Sequence, residues 1–200
     1  MTESVRWVGI LGGTFDPIHR GHVLIAEAAL SQVDEVFLVP AAQPPHKPRG
    51  PRVGFSERMA MCRIAVEGRR GLSVWDLEGH RDGPSYTLDT MDEAARLLAP
   101  RRPAFVMGAD SLLDLPHWRD PETLVRRHRI LVVPRPGWPM ERAPGEWLAK
   151  VELIAVESVD ASSSDARKGR WEMLDPRVAD YIRRKELYMD DLGSSRDRRS

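Results

Sequence analysis

Cysteine occurs once, at Cys62, so no intramolecular disulfide can form and no thiolate zinc cluster can be built. That usage fits a reducing compartment. Long apolar runs are missing too. Nothing approaches the roughly 20 apolar residues of a membrane span, and the start of the chain offers only Val8-Gly9-Ile10-Leu11 before two glycines, too little for a secretory signal. Cytoplasm is the expected location, with no membrane partner. An excess of one charge sign is also absent: 30 Lys and Arg balance 30 Asp and Glu. Bulk electrostatics therefore give no reason to expect a nucleic-acid partner. Three motifs are lacking as well. Without G-x-x-x-x-G-K-[ST] there is no Walker-type ATP site, without G-x-G-x-x-G opening a helix a dehydrogenase is not indicated, and without G-x-S-x-G there is no nucleophile elbow. No internal repeat is found.

What is present suits one domain. The chain has 200 residues, of which 42% are apolar, enough to bury a core unaided by staples. Residues 1–189 are expected to form the domain and 190–200, polar and charged, a disordered tail. Short apolar runs read as strands: Arg6 to Leu11, Glu35 to Val39, Leu72 to Leu77, Ala104 to Met107, Ile130 to Val133 and Leu153 to Val156. Between them lie helical stretches: Gly21 to Gln32, a segment capped by Ser56 and running to Val66, Thr87 to Leu98, Pro121 to Arg127 behind an Asp120 cap, and Pro176 to about Lys185. Continuous apolar strands alternating with helices predict an α/β fold, a doubly wound parallel sheet. In such folds ligands bind beyond the carboxyl ends of the strands, at the point where strand order reverses. The residues following each strand are therefore the ones to read for chemistry.

After the first strand comes Gly12-Gly13-Thr14-Phe15-Asp16-Pro17-Ile18-His19-Arg20-Gly21-His22. The glycines let a ligand approach the backbone. His19 and His22, three apart at a helix start, can share one side of it. Helix amides and two imidazoles together make a corner for an anion, able to donate to a phosphate that gains charge in a transition state. By itself H-x-G-H is more commonly a surface residue beside a cap; its place after a strand and a Gly-Gly turn favours phosphate. After the second strand, Pro44-Pro45-His46-Lys47-Pro48 is a stiff basic loop whose Lys47 suits a polyphosphate. Ser85 or Thr87 caps the next helix or offers its amides to an anion. Asp110, past the fourth strand, suits ribose hydroxyls. Trp118 is either a stacking platform or a core or lid aromatic. Ser162-Ser163-Ser164-Asp165-Ala166-Arg167 reads as a further helix start with hydroxyls and an arginine for phosphate, or as a plain loop. These residues hold phosphates and sugars but provide no covalent nucleophile, which points to direct transfer between two bound phosphates.

With these motifs the chain resembles the nucleotidyltransferase superfamily, and within it the bacterial nicotinate-nucleotide adenylyltransferases. The ordered set Gly12 to His22, Pro44 to Lys47, Gly83 to Thr87, Asp89-Thr90, Gly108 to Asp110, Trp118, Arg135 to Gly137, Ser162 to Arg167, Tyr181-Ile182 and Leu187-Tyr188 covers residues 6 to 188. The resemblance implies a Rossmann-like domain that transfers AMP from ATP to nicotinate mononucleotide, releasing pyrophosphate, with magnesium entering on ATP and no metal-ligating side chains. It implies that His19, His22 and Lys47 hold the ATP phosphates and that Ser163, Ser164 and Arg167 clamp them from the other side. Asp110 would contact ribose, Trp118 would stack on the nicotinate ring, and amides near Thr87 and Arg119 would receive its carboxylate. Gly12, Gly13, Thr14, Phe15, Asp16, Ser85, Tyr86, Gly108 and Arg135 complete the implied binding site. The late motif departs from the family in carrying Ala161 and Ala166 where isoleucine is usual, so looser packing is expected there. Rivals are a phosphopantetheine adenylyltransferase, a preference for nicotinamide mononucleotide, and a non-catalytic nucleotide sensor. Class I aminoacyl-tRNA synthetases share a related His motif, but the chain has no tRNA-binding extension. The sequence leaves homo-oligomer formation open.

Overall fold

The computed structural model describes residues 6–45, 50–134, 138, 140, 143, 145–154, 163–167 and 169–189. Among them are six strands: β1 Trp7–Gly13, β2 Glu35–Pro40, β3 Leu72–Val74, β4 Arg102–Gly108, β5 Arg129–Val133 and β6 Glu152–Leu153. The helices are α1 Arg20–Ala29, α2 Phe55–Val66, α3 Thr87–Leu98, α4 Ala109–Asp114, α5 Pro121–Arg127, α6 Gly145–Leu148, α7 Ser163–Arg167 and α8 Pro176–Arg184. The strands pair in the order β3-β2-β1-β4-β5-β6, and every pairing is parallel. This is the expected doubly wound, Rossmann-like sheet. Its order reverses between β1 and β4, and Gly13 and Gly108 end those two strands on either side of the crevice.

Alternation along each strand divides the core into two layers. Ala104 and Val106 of β4 join Val36, Leu38, Leu131 and Val133 beneath α1, α2 and α8, where Ile25, Met61, Cys62, Val178 and Ile182 are buried. Phe105 and Met107 face the other way, with Val8, Ile10, Ile130 and Val132, against Met91 and Ala94 of α3, Leu112 of α4, Leu124 of α5 and Trp147 of α6. Burying both faces explains why the strands read as nearly unbroken apolar runs. Burial also pushes the Cys62 thiol far above its ordinary range, so it behaves as a core hydrophobe.

Several local expectations need correction. Gly54, not Ser56, caps α2, and Ser56 lies inside the helix. Strand β3 ends at Val74, three residues short of Leu77; Trp75 still donates to the Leu38 carbonyl before the chain turns at Asp76 to Gly79. Tyr86 occupies the α3 cap position without a side-chain cap bond, so neither Ser85 nor Thr87 is the cap. The six-residue α4 was not expected: it follows β4 directly and places Asp110 in its first turn. The Asp120 cap is as expected, its carboxylate accepting from the Thr123 amide, with Asp120 itself in the left-handed region at φ 47°. The proposed tail at 190–200 lies outside the described residues.

Candidate active site

A crevice of about 290 Å³ opens at the carboxyl ends of β1 and β4. Along its floor run Leu11 to Thr14 from β1, Phe105, Met107 and Gly108 from β4, and Asp110 and Ser111 from α4. His22 and Ile25 of α1, the loop residues Ala41, Pro44 and Pro45, and Glu78, Ser85, Thr87 and Trp118 close its sides. Residues scattered over a hundred positions thus converge at the strand-order reversal.

The β1 loop is shaped first. Phe15 takes φ 48°, an unusual conformation for a side-chain-bearing residue, and its ring is buried. A Cβ on Gly13 would stand 2.9 Å from that ring, so glycine is required for Phe15 to fold back beneath the loop. Phe15 meets the His22 ring edge-on at 4.9 Å, and His19 stacks on His22 at 3.6 Å with 25° between planes. His22 lines the crevice, whereas His19 is 4% exposed and lies behind it. The His19 amide donates to His22 Nδ1 at 3.2 Å. With Nδ1 accepting, the neutral His22 ring carries its proton on Nε2, the end able to donate to an anion. Both imidazoles therefore act as a stacked unit at the start of α1.

Asp16 and Phe15 do not line the crevice. The Asp16 carboxylate is buried, accepting from the Tyr188 hydroxyl and the Arg52 amide, each at 2.8 Å. Burial and the adjacent Asp16 charge both drive the Tyr188 phenol pKa far upward, so it remains a proton donor to Asp16. The backbone oxygens of this loop face α7: Arg167 donates to the Asp16 carbonyl at 2.5 Å and Ser163 to the Pro17 carbonyl at 2.9 Å. Ser164 is exposed beside them, and Ala166 is buried in the core. Lys47, Arg135, Ser162 and Ala161 lie outside the described residues.

At the other end of the crevice, Trp118 packs against Phe105 at 5.9 Å and its indole N–H donates to Asp114 at 3.2 Å. Thr87, at the start of α3, lines the same end; Ser85 does too, its hydroxyl accepting from the Gln43 amide at 3.0 Å. Tyr86 lies under the Arg119 guanidinium at 4.5 Å, and Arg119 reaches Asp89 at 3.3 Å. Asp110 lines the floor between the two ends.

Two buried charged residues of this region were not singled out from sequence. Glu78 is 5% exposed and lines the crevice; it accepts from Thr90 Oγ1 at 2.6 Å and from the Ala42 amide at 3.3 Å. Arg58 is 1% exposed and donates to three backbone carbonyls. Its one sequence signal is a charged residue set among Met59, Met61 and Cys62, where an apolar one would pack.

Comparison with known proteins agrees with this geometry. The cytidylyltransferase-like family model matches residues 10–169. A relative from Gloeobacter violaceus named "Probable nicotinate-nucleotide adenylyltransferase" is 38% identical, covering 90% of this chain and 95% of that one. A Symbiobacterium thermophilum protein of the same name is 37% identical, covering 91% and 95%. The solved structure of Plasmodium falciparum nicotinic acid mononucleotide adenylyltransferase complexed with NaAD shares the fold at a TM-score of 0.77 and 24% identity, covering 92% of this chain and 97% of that one. With a parallel sheet of the right order, a crevice at its reversal and relatives that match along nearly their whole length, the chain belongs to the nicotinate-nucleotide adenylyltransferase family of nucleotidyltransferase enzymes.

Proposed function

We propose that this chain transfers the adenylyl group of ATP to nicotinate mononucleotide, yielding nicotinate adenine dinucleotide and pyrophosphate. The observation that carries the reading is the stacked His19–His22 pair, which presents His22 to the crevice at the start of α1 beside Gly12 and Gly13 at the end of β1. Imidazole and helix amides there are donors suited to phosphate oxygens.

The mononucleotide phosphate attacks the α-phosphorus. A bond forms between its oxygen and that phosphorus, and the bond from the phosphorus to the bridging oxygen breaks, the electron pair leaving with pyrophosphate. A phosphate monoester loses its second proton near pH 6, so the nucleophile is ionised at neutral pH and needs no general base. Rate enhancement then comes from holding the two phosphates together and matching charge as it develops. The ATP phosphates are assigned to His22, with His19 behind it, and to Lys47. Ser163, Ser164 and Arg167 brace the opposite side, Arg167 and Ser163 through the carbonyls of Asp16 and Pro17. Asp110 receives ribose hydroxyls, and Trp118 stacks on the pyridine ring whose carboxylate meets the amides near Thr87 and Arg119.

Magnesium bound to the triphosphate would neutralise part of its charge. Among the described residues no three His, Cys, Asp or Glu side chains converge on one point, and a metal carried by phosphates and water needs no such cage. No helix among the described residues is long and apolar enough to cross a membrane; we place the reaction in the cytoplasm.

Incubation with Mg-ATP labelled at the α-phosphate and nicotinate mononucleotide tests the reading. Label should move into a dinucleotide in step with pyrophosphate release. Label appearing only in free AMP would contradict transfer.

A further inference from the structure

We propose that Arg58, which does not line the crevice, is the positioning residue that fixes the two phosphate-side loops relative to each other and thereby sets kcat rather than substrate affinity; this rests on the transfer reaction proposed above. Arg58 is a fully buried residue in the first turn of α2. Its Nη1 donates to the Thr14 carbonyl at 2.8 Å, in the loop after β1. Its Nη2 reaches the Ala42 carbonyl at 3.5 Å, at the root of the loop after β2 that leads to Lys47. Its Nε donates to the Val53 carbonyl at 3.3 Å, where that same loop returns to α2. One guanidinium therefore ties together three backbone segments.

The root of the second loop is held from the opposite side as well. The Ala42 amide donates to Glu78, the Ala41 amide to the Gly13 carbonyl at 2.8 Å, and the Ser85 amide to the Gln43 carbonyl at 2.9 Å. Both groups of the Ala42 residue are thus committed, its N–H to a buried carboxylate and its C=O to a buried guanidinium. The Asp16 carboxylate, itself fixed by Tyr188, favours the charged form of Arg58. Burial lowers the guanidinium pKa and Asp16 opposes that effect; arginine retains its charge in such settings.

A fully buried cation costs desolvation that Met or Leu at the same place would avoid. Its neighbours on α2, Met59, Met61 and Cys62, show that the site accepts apolar volume. What an apolar residue cannot do is meet three carbonyls at once. Lysine cannot either: its ammonium is a point charge on a flexible stem and lacks the planar fork. Displacing reacting groups by about 1 Å can cost on the order of a hundredfold in rate, so a small shift between the loops should register in turnover.

The test compares Arg58→Lys and Arg58→Met with the wild type in the full chain, by steady-state kinetics with Mg-ATP and nicotinate mononucleotide and by amide hydrogen exchange. Thermal unfolding identifies which variant is folded, and either one decides. The expected result is a kcat lower by about ten- to a hundredfold, with KM for both substrates within about threefold. Exchange should rise together at Thr14 to Asp16 and at Ala41 to Gln43, and stay unchanged in β5 and α5. A purely structural role would instead lower the melting temperature and raise exchange everywhere while leaving turnover per folded molecule intact, and that result overturns the proposal. So does a folded variant with kcat within twofold of the wild type. If the wild type itself fails to use nicotinate mononucleotide, the reaction assignment has failed. The exchange pattern then decides on Arg58 independently: paired loosening supports it and its absence refutes it.

Discussion

The two ends of the crevice are built differently. The end proposed for phosphate is buried and cross-braced: His19, Asp16, Arg58 and Glu78 are each at most 5% exposed, the His19 amide donates to the His22 ring, and the bonds of Asp16, Arg58 and Glu78 reach backbone groups of neighbouring loops. The acceptor end is open. Trp118 is half-buried, Arg119 is exposed, and their partners Asp114 and Asp89 are exposed or nearly so, held by contacts that water can replace. The difference fits the role proposed for each end. Charge stabilisation in the transition state requires donors that do not reorganise, whereas recognition of a ring and a carboxylate tolerates side chains that settle on binding. Lesions at the first end should therefore appear in kcat, and lesions at the second in KM.

The largest expected effect is at His22. Replacing it with Ala should lower kcat by about a hundred- to a thousandfold, the usual loss for one oxyanion donor, with the fold intact by circular dichroism. His19→Ala should also lower kcat, by about tenfold or more, because it removes the ring that stacks on His22. Either variant retaining near-full activity while folded would remove the histidine corner from the account. Next comes Trp118→Ala. Loss of stacking worth about 1–3 kcal/mol should raise the KM for nicotinate mononucleotide about tenfold and leave kcat little changed. A fall in kcat alone would mean that the two ends are not separable. Arg119→Ala sharpens the same distinction. Its ion pair with Asp89 is exposed, a class worth at most about 1 kcal/mol, and its backbone amide survives the substitution. KM should then move by less than about threefold; a larger rise would assign carboxylate recognition to the guanidinium.

The smallest effect on turnover should come from Asp175→Ala, a lesion at neither end. Asp175 caps α8 through the Arg177 amide at 2.9 Å. Its loss should cost about 1 kcal/mol, or about 2–4 °C in Tm for a chain of this size, with kcat and KM unchanged. Burial raises the Asp175 carboxyl pKa, but its bonds to Arg177 outweigh that and hold it below the ordinary value of 3.8. Its contribution is therefore complete above that value and is lost as pH falls through the lower folded value. The Tm difference between variant and wild type should be steady at neutral pH and shrink on strong acidification.

How much of this was legible in the sequence depended on distance along the chain. The His19/His22 spacing and the Asp120 cap are local patterns, and each sits at the helix start its pattern implies; Gly12 and Gly13, read as a turn that stops β1 at Leu11, instead extend the strand opposite Val39 and Pro40. The doubly wound class followed from apolar runs alternating with helices. Helix α4 escaped notice because six residues after a strand carry too little periodicity to distinguish a helix from a loop. The α2 boundary slipped because Ser56 is a strong cap by type, while Gly54 has the extended backbone the position needs. Arg58, Glu78 and Tyr188 were missed as braces because their partners stand 44, 36 and 172 residues away. Only the assembled sheet brings such groups together. Asp16 was placed with the ligand for the opposite reason: its motif marks the loop correctly, but its side chain turns inward to Tyr188 and Arg52.

The most direct test of the account is pyrophosphate release from Mg-ATP by the purified chain, with nicotinate mononucleotide, nicotinamide mononucleotide and phosphopantetheine compared side by side. The account predicts strong turnover with the nicotinate compound and much weaker turnover with the other two, because amides at the start of α3 favour a carboxylate. Turnover with phosphopantetheine instead would keep the phosphate corner and overturn the acceptor end. Silence with all three, in protein that still binds ATP, would contradict catalysis and leave a nucleotide sensor.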